Sequence, residues 1–394
     1  MGRKPCIFGP FAFGFHSAQV EPSYFTGMKF PASIFFTSHP ESLAWLELVV
    51  DYISAQCTNS QLWPFIQEIA KNEVVLIQSM PGGSQSQIPM SYYPSNGRIS
   101  TRFFHILSMR LGKPSYGDMP IELVDKVFAL LADKGMLFER LPDGITWVLP
   151  VKDYEVNTKF VKYLSDNSLI YNHLFGFDYI IRRYNASVVK IEVKCGEDVS
   201  IGTGWFLDLP SASPSTPSLR LVVTNDHVLD KHSSFRVLTK EETELGHSEV
   251  ELLLAKTGVD MALIRLVDTP PASNFCLSTD VPLLEDVITI GYPAVPLSRE
   301  AYQVVHRGEV NAQVADMWGQ DLLIISARTA PGSSGSPVID DTGRVVGMVA
   351  RELFEKSTFQ EKGITPYSAC IPAKTILSAL YQSNIYKQYT TSSE

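Results

Sequence analysis

The spacing of apolar positions along the chain changes character near Tyr184. Ahead of that point helical periods dominate. Leu43, Leu46, Val50 and Ile53 recur at three- to four-residue intervals within Glu41–Cys57, with Pro40 near the start, where its missing N–H costs little. Ser100–Leu111 and Pro120–Lys134 also read as helices, the second stopped by Gly135, a residue type suited to a C-cap. Glu73–Ser79 (EVVLIQS) predicts a short strand and the following Pro-Gly-Gly-Ser a loop. Met136–Arg140, a Leu-Pro-Asp-Gly turn at 141–144 and Ile145–Leu149 predict a β-hairpin, and Glu155–Arg183 a further helical stretch.

Beyond Tyr184 the pattern becomes short β-branched runs. These are SVVKIEV (187–193), GTGWFLDL (202–209), LRLVVTN (219–225), EVELLLA (249–255), MALIRLV (261–267), DVITIGYP (286–293), LLIISAR (322–328) and RVVGMVA (344–350). Strands in succession without intervening helices imply an all-β sandwich or a pair of barrels. Ser211–Ser218 (SASPSTPS) predicts an exposed hairpin loop, and Ala373–Tyr381 a closing helix. The expected organisation is a mixed α/β domain over 1–183, a β domain over 184–382 and a tail over 383–394.

Composition narrows the function. The 394 residues exceed one ordinary core, and 45% hydrophobic with 19% charged residues describes a folded chain. A net charge of -9 argues against a general nucleic-acid binder, and no run approaches the roughly 20 apolar residues that cross a bilayer. A helix followed by a hairpin at 120–150 also occurs in winged helices, but Glu122, Asp125, Asp133, Glu139 and Asp143 leave it no more basic than acidic, against DNA binding. The five cysteines are scattered, without metal-ligand spacing or a disulfide framework. They favour a reducing, cytoplasmic setting. The alternative is a secreted or periplasmic protein, because Gly2-Arg3-Lys4 precedes an apolar run, although Pro5, Gly9, Pro10 and Gly14 break that run.

Three segments carry side chains suited to nucleophilic acyl transfer. Thr224-Asn-Asp-His227 delivers an imidazole at a strand end, Asp260 precedes an apolar strand, and Pro331-Gly-Ser-Ser334-Gly-Ser-Pro337 is a glycine-flanked turn. A serine hydroxyl needs an imidazole to accept its proton, and a carboxylate fixes the imidazole tautomer. Glycines let the N–H groups of Gly332 and Ser334 converge as an oxyanion hole. Each element taken singly has an ordinary structural reading. Their joint occurrence, in the order His, Asp, Ser, selects catalysis.

Residues 184 to about 380 resemble the trypsin-like peptidase domain of the HtrA/Deg group. The resemblance runs through Ser187-Val-Val-Lys-Ile, Gly202-Thr-Gly-Trp-Phe, Val223-Thr-Asn-Asp-His-Val, Asp260-Met-Ala-Leu-Ile, Ile290-Gly-Tyr-Pro, Pro331-Gly-Ser-Ser-Gly-Ser-Pro, Gly343-Arg-Val-Val-Gly and Ala369-Cys-Ile-Pro. It implies an all-β, chymotrypsin-like double six-stranded barrel after the α+β domain, an active site between the barrels, and neither metal nor organic cofactor. Ser333 stands where zymogen-type proteases carry an aspartate, so activation by trimming the domain's own terminus is not expected. No PDZ domain is expected after the peptidase part.

In this fold the residues before the nucleophile line the specificity pocket: here Arg328 and Thr329, with Val349, Ala350 and Arg351 on the facing strand. A guanidinium there favours an acidic side chain before the scissile bond; the alternative is that Arg328 points to solvent or pairs with an acid such as Glu352. Thr329 and the Ser-Gly-Ser-Pro ending are also similar to glutamyl endopeptidases, although Val349 stands where those enzymes place a histidine. Leu353–Ser368 is expected as a loop beside the pocket and a candidate gate. The expected partners are a protein or peptide substrate and a regulatory protein engaging the amino-terminal domain. The competing reading is a protease fold kept as a binding scaffold with little turnover.

Overall fold

In the computed structural model the described residues are 41–58, 64, 68, 98–100, 121–140, 152–209, 219–229, 234–268, 270–353 and 367–391. The chain forms two compact units, with Tyr179 in one and Ile180 in the other.

The first unit contains helix α1 (Glu41–Thr58), strand β1 (Arg98–Ser100), α2 (Ile121–Asp133), β2 (Leu137–Arg140), β3 (Asp153–Val156), α3 (Thr158–Asp166) and α4 (Ile170–Phe175). Val124, Val127, Phe128 and Leu131 form one buried stripe of α2, and they share a core with Leu46 and Ile53 of α1, Tyr154 of β3 and Val161 of α3. The antiparallel sheet order is β1-β3-β2. Several expectations change here. Ser100 lies in a strand, and the rest of the helix expected to Leu111 falls outside the described residues, as do 73–84 and 141–149. Among the described residues β2 pairs with β3, through Leu137↔Val156 to Arg140↔Asp153. Glu155 and Val156 are therefore strand residues. The helical stretch after them is broken at Ser168 (φ 55) and Gly176 (φ 67), where the backbone turns to positive φ.

In the second unit, after α5 (Phe177–Tyr184), come β4 (Val188–Cys195), β5 (Asp198–Leu209), β6 (Leu219–Thr224), β7 (Ser234–Leu238), β8 (Glu244–Leu245) and β9 (His247–Leu252). A short α6 (Leu254–Thr257) leads to β10 (Ala262–Leu266) and β11 (Cys276–Leu277). Then follow β12 (Asp286–Gly291), β13 (Val304–Ala315), β14 (Asp321–Ile325), β15 (Pro337–Asp340), β16 (Arg344–Leu353), β17 (Tyr367–Pro372), α7 (Ala373–Gln382) and α8 (Asn384–Thr391). Leu254 and Ala255 are thus helical rather than part of a 249–255 strand. The expected tail over 383–394 contains α8, whose first N–H groups, at Asn384 and Ile385, donate to the Glu251 carboxylate at 2.8 and 2.9 Å.

The strands form the two-barrel architecture. The second closes: β16-β15-β12-β13-β14-β17 returns to β16 through the β16–β17 ladder, making six strands around Val287, Val310, Leu323, Val338, Val346, Val349 and Cys370. The first is a seven-stranded curled sheet, β8-β7-β4-β5-β6-β10-β9, around Val189, Ile191, Phe206, Val222, Val237 and Ile264. Among the described residues no ladder joins its two edges, so it is a half-barrel rather than the closed six-stranded form expected. The SASPSTPS segment and residues 354–366 of the expected gate lie outside the described residues, while Leu353, Tyr367 and Ser368 are strand residues.

Candidate active site

Strand register places His227 beside Asp260. β10 runs antiparallel to β6 with Ala262 opposite Thr224, so the residues just before β10 lie alongside those just after β6. There Asn225, in extended conformation, leads into a single 3-10 turn over Asp226–Val228 that turns His227 toward the carboxylate. The Asn225 amide donates to the Asp260 carbonyl at 2.9 Å, and the Asp226 carboxylate accepts from Leu254 N–H at 3.0 Å. Both oxygens of Asp260 hold His227: one accepts from its backbone N–H at 3.0 Å, and the other lies 2.7 Å from Nδ1. With Nδ1 facing a carboxylate, the neutral ring carries its proton there and leaves Nε2 as the acceptor. The imidazole side chain is 47% exposed and Asp260 27%, so the pair opens to solvent on the ring side.

The serine turn is built by backbone constraint. Gly332 (φ 97) and Gly335 (φ 87) have left-handed φ, and a Cβ on either would strike backbone, the Tyr292 carbonyl for Gly332 and the Thr203 carbonyl for Gly335. Ser333 N–H donates to Ala330 O at 2.8 Å, Ser336 N–H to Ser333 O at 3.0 Å, and Gly335 N–H to Val349 O at 2.9 Å. Ala294 N–H donates to the Pro331 carbonyl at 2.8 Å. In a trans peptide C=O and N–H point oppositely, so this contact turns the Gly332 N–H the other way. Among the described residues neither Gly332 N–H nor Ser334 N–H has an acceptor. Two donors are left in one turn.

Thr203 of β5 stitches this turn to the other barrel. Its N–H donates to Ser334 O at 2.9 Å and its hydroxyl to Gly332 O at 2.8 Å, and the same hydroxyl accepts from Tyr292 N–H at 3.0 Å. Thr224, three residues before His227, donates to the Thr203 carbonyl at 2.7 Å. The serine turn and the end of β6 therefore share one anchor. The sequence signal was present in Gly202-Thr-Gly-Trp-Phe, but nothing local assigns that threonine a role. The Ser334 hydroxyl forms a long hydrogen bond, 3.3 Å, to the Ala350 carbonyl, and among the described residues none joins it to His227.

Of the residues expected to line the pocket, Val349 and Arg351 are engaged elsewhere. Thr329 Oγ1 lies 3.0 Å from Ser368 Oγ, which donates to Ala327 O at 3.0 Å. Arg328 is exposed. Val349 is a core residue of the second barrel. Ala350 sits at a bulge, since the β16–β17 register shifts between Val349 and Arg351. Arg351 pairs with Asp316 at 2.9 Å and lies over the Trp318 ring at 5.8 Å, which engages it outside the Thr329–Ser368 pair. The Asp316 carboxyl is held below its usual range by the Gln320 and Trp318 N–H groups and by Arg351. Among the described residues no group of three His, Cys, Asp or Glu could hold a metal, and no helix is long and apolar enough to cross a membrane.

Residues 202–348 match the trypsin-like peptidase domain family. The chain is 28% identical over 141 residues to the serine protease Do-like HtrA of Bacillus subtilis (strain 168), covering 34% of this chain and 31% of the relative. It is 27% identical over 158 residues to the uncharacterized protein y4bJ of Sinorhizobium fredii (strain NBRC 101917 / NGR234), covering 40% of this chain and 23% of that protein. The chain thus spans less than a third of these curated relatives. Among solved structures, the active form of the Rv3671c protease from M. tuberculosis aligns with a TM-score of 0.40 at 21% identity, covering 52% of this chain and 84% of that one. The HtrA-type protease AlgW with a decapeptide aligns with a TM-score of 0.39 at 16% identity, covering 52% and 66%.

Proposed function

We propose that the carboxy-terminal domain, trypsin-like by fold and by family match, is a serine endopeptidase using His227, Asp260 and Ser334. The observation that carries this reading is the double stitch at Thr203, which ties the glycine-built serine turn to the strand end presenting an Asp260-oriented imidazole.

In the proposed reaction His227 Nε2 takes the Ser334 proton as Oγ bonds to the substrate carbonyl carbon. The oxygen of the tetrahedral intermediate accepts from the Gly332 and Ser334 N–H groups, each donor contributing about 3 kcal/mol in comparable sites. The C–N bond breaks as the imidazolium returns its proton to the leaving amine. Water, deprotonated by the same imidazole, then hydrolyses the acyl-enzyme. Substrate lies along β16, whose residues beyond Val349 run past the serine turn that follows on from β15 and have β17 as their one neighbouring strand among the described residues. An extended peptide can complete that edge by backbone hydrogen bonds. No cofactor enters this scheme. The cytoplasm is the proposed compartment, and the amino-terminal unit the proposed docking site for a regulatory protein.

A scaffold reading is favoured by one observation, the Ser334 hydroxyl turned to Ala350 O. In the peptidase reading the hydroxyl leaves that carbonyl by rotation about χ1, a motion of picoseconds to nanoseconds for a partly exposed side chain. Labelling of the full chain with a fluorophosphonate separates the two. Reaction at Ser334, lost in Ser334→Ala together with peptide hydrolysis, supports the peptidase; an inert Ser334 in a folded chain supports the scaffold.

A further inference from the structure

Past Ala350, β16 pairs with Ser368 of β17, whose hydroxyl meets that of Thr329. We propose that this region selects an acidic side chain immediately before the scissile bond, held by Arg328, His306 and the hydroxyl of Thr329. The proposal rests on the peptidase reading and names its substrate class.

Placement follows from the strands. Ser334 Oγ touches the Ala350 carbonyl, and two residues further along β16 Glu352 pairs with Ser368 of β17. Two strand steps along β16 are about 7 Å, and Ser368 lies one strand over, about 5 Å, so the Ser368–Thr329 hydroxyl pair sits in the region next to the nucleophile. A peptide on the open edge of β16, with its carbonyl at Ser334, directs the preceding side chain into this region. The floor is polar. Ser368 donates to Ala327 O, so Thr329 is the donor in the 3.0 Å contact and can turn its proton to an incoming carboxylate.

The charge comes from Arg328, with the His306 imidazole beside it. The Cβ direction of Gly308 on β13 is covered by the backbone of Ser326 and Ala327. His306 shares that face of β13 two residues away, which sets it against Arg328, the next residue after Ala327. Burial, and then the Arg328 charge, hold the His306 imidazole below its ordinary value. Among the described residues no carboxylate pairs with Arg328, whereas Arg351 of β16 is already neutralised by Asp316. An unpaired guanidinium beside a hydroxyl and an imidazole is complementary to a carboxylate. A Leu or Phe side chain in the same place would desolvate these groups without replacing their hydrogen bonds.

The test uses the full chain and peptides differing only at the position before the scissile bond, carrying Glu, Asp, Gln, Leu or Phe. Hydrolysis is read as kcat/KM and binding as fluorescence polarisation. The expected result is a preference for Glu over its isostere Gln of about 10- to 100-fold, the range of a charge-assisted contact, and a collapse of that ratio toward one in Arg328→Gln. A preference for Leu or Phe overturns the proposal, as does a Glu:Gln ratio unmoved by Arg328→Gln. Were no peptide cut and Ser334 inert to a fluorophosphonate, the peptidase reading would fall. The pocket is then judged by binding: Glu peptides held more tightly than Gln peptides sustain it, and equal binding overturns it.

Discussion

The Thr203 hydroxyl donates to the Gly332 carbonyl at 2.8 Å from a strand of the opposite barrel. Thr203 is wholly buried and also receives the Tyr292 N–H. Valine has the same shape without the hydroxyl, so Thr203→Val leaves two buried backbone groups without partners. We expect kcat/KM to fall about 10- to 100-fold through kcat, the equivalent of the 1–3 kcal/mol lost by unpaired buried groups. Thr203→Ser, which keeps the oxygen, is expected to recover most of the rate. Loss in both variants alike would assign Thr203 a packing role alone.

Asp260 grips His227 by backbone and ring together. Asn at 260 keeps the size but presents an amide to Nδ1 and favours the wrong tautomer. Turnover is expected to drop by about 10⁴-fold, as in other sites of this design, with the melting temperature little changed. Steady-state kinetics beside a thermal melt distinguish this from misfolding.

Gly335 combines a left-handed φ with a direct backbone neighbour at Thr203 O. Gly335→Ala is expected to cost about 2–4 kcal/mol of stability or to abolish folding. Gly319, equally left-handed but with open space where a Cβ would sit, is the control, and Gly319→Ala is expected to cost about 1 kcal/mol. Denaturant unfolding of the two variants checks the difference.

Asp340 and Arg344 form a buried pair at 2.7 Å, with side chains 1% and 7% exposed. Thr342 N–H, Thr342 Oγ1 and Arg344 N–H also donate to Asp340 Oδ1, fixing the turn between β15 and β16. Arg344→Leu strands a buried carboxylate and is expected to destabilise by about 3–5 kcal/mol, measured by chemical denaturation. Replacing both partners with apolar residues is expected to recover part of that.

His306 is held below the ordinary 6.5 by burial and by Arg328. The unfolded chain therefore binds this proton more readily than the folded one. Its contribution to stability is full above pH 6.5 and is lost as pH falls through the lower folded value. On moving from neutral pH to about pH 5 the wild type is expected to lose more stability than His306→Asn. Equal losses would show that the imidazole titrates as it does in water.

The sequence carried the serine turn because glycines at 332 and 335 are demanded by backbone geometry. The strands β5, β6 and β12 were equally legible as apolar β-branched runs. Strand β13 was not, because VVHRGEVNAQVA mixes half-buried and exposed positions, with Arg307, Glu309, Asn311 and Gln313 interleaved, and never forms an apolar block. β15 lay hidden behind the serine motif. The break at Ser168 gave no warning, since serine seldom adopts φ 55. Thr203 was visible as a residue but not as an anchor, because its partner lies 129 positions away and leaves no local trace. The first barrel's open edges escaped for a related reason: closure depends on pairing between distant strands, which apolar periodicity does not encode.

The stitch at Thr203 has a consequence for a chain still being synthesised. Imidazole and carboxylate reach their places once β6 and β10 have paired, yet the hydroxyl arrives some seventy residues after Asp260 and is set only when the later barrel docks on β5. In the proposed peptidase a nascent or half-folded domain is consequently inert toward itself and its neighbours. Its cleavage would begin only with completed assembly, so enzymatic output would double as a reporter that both barrels are intact.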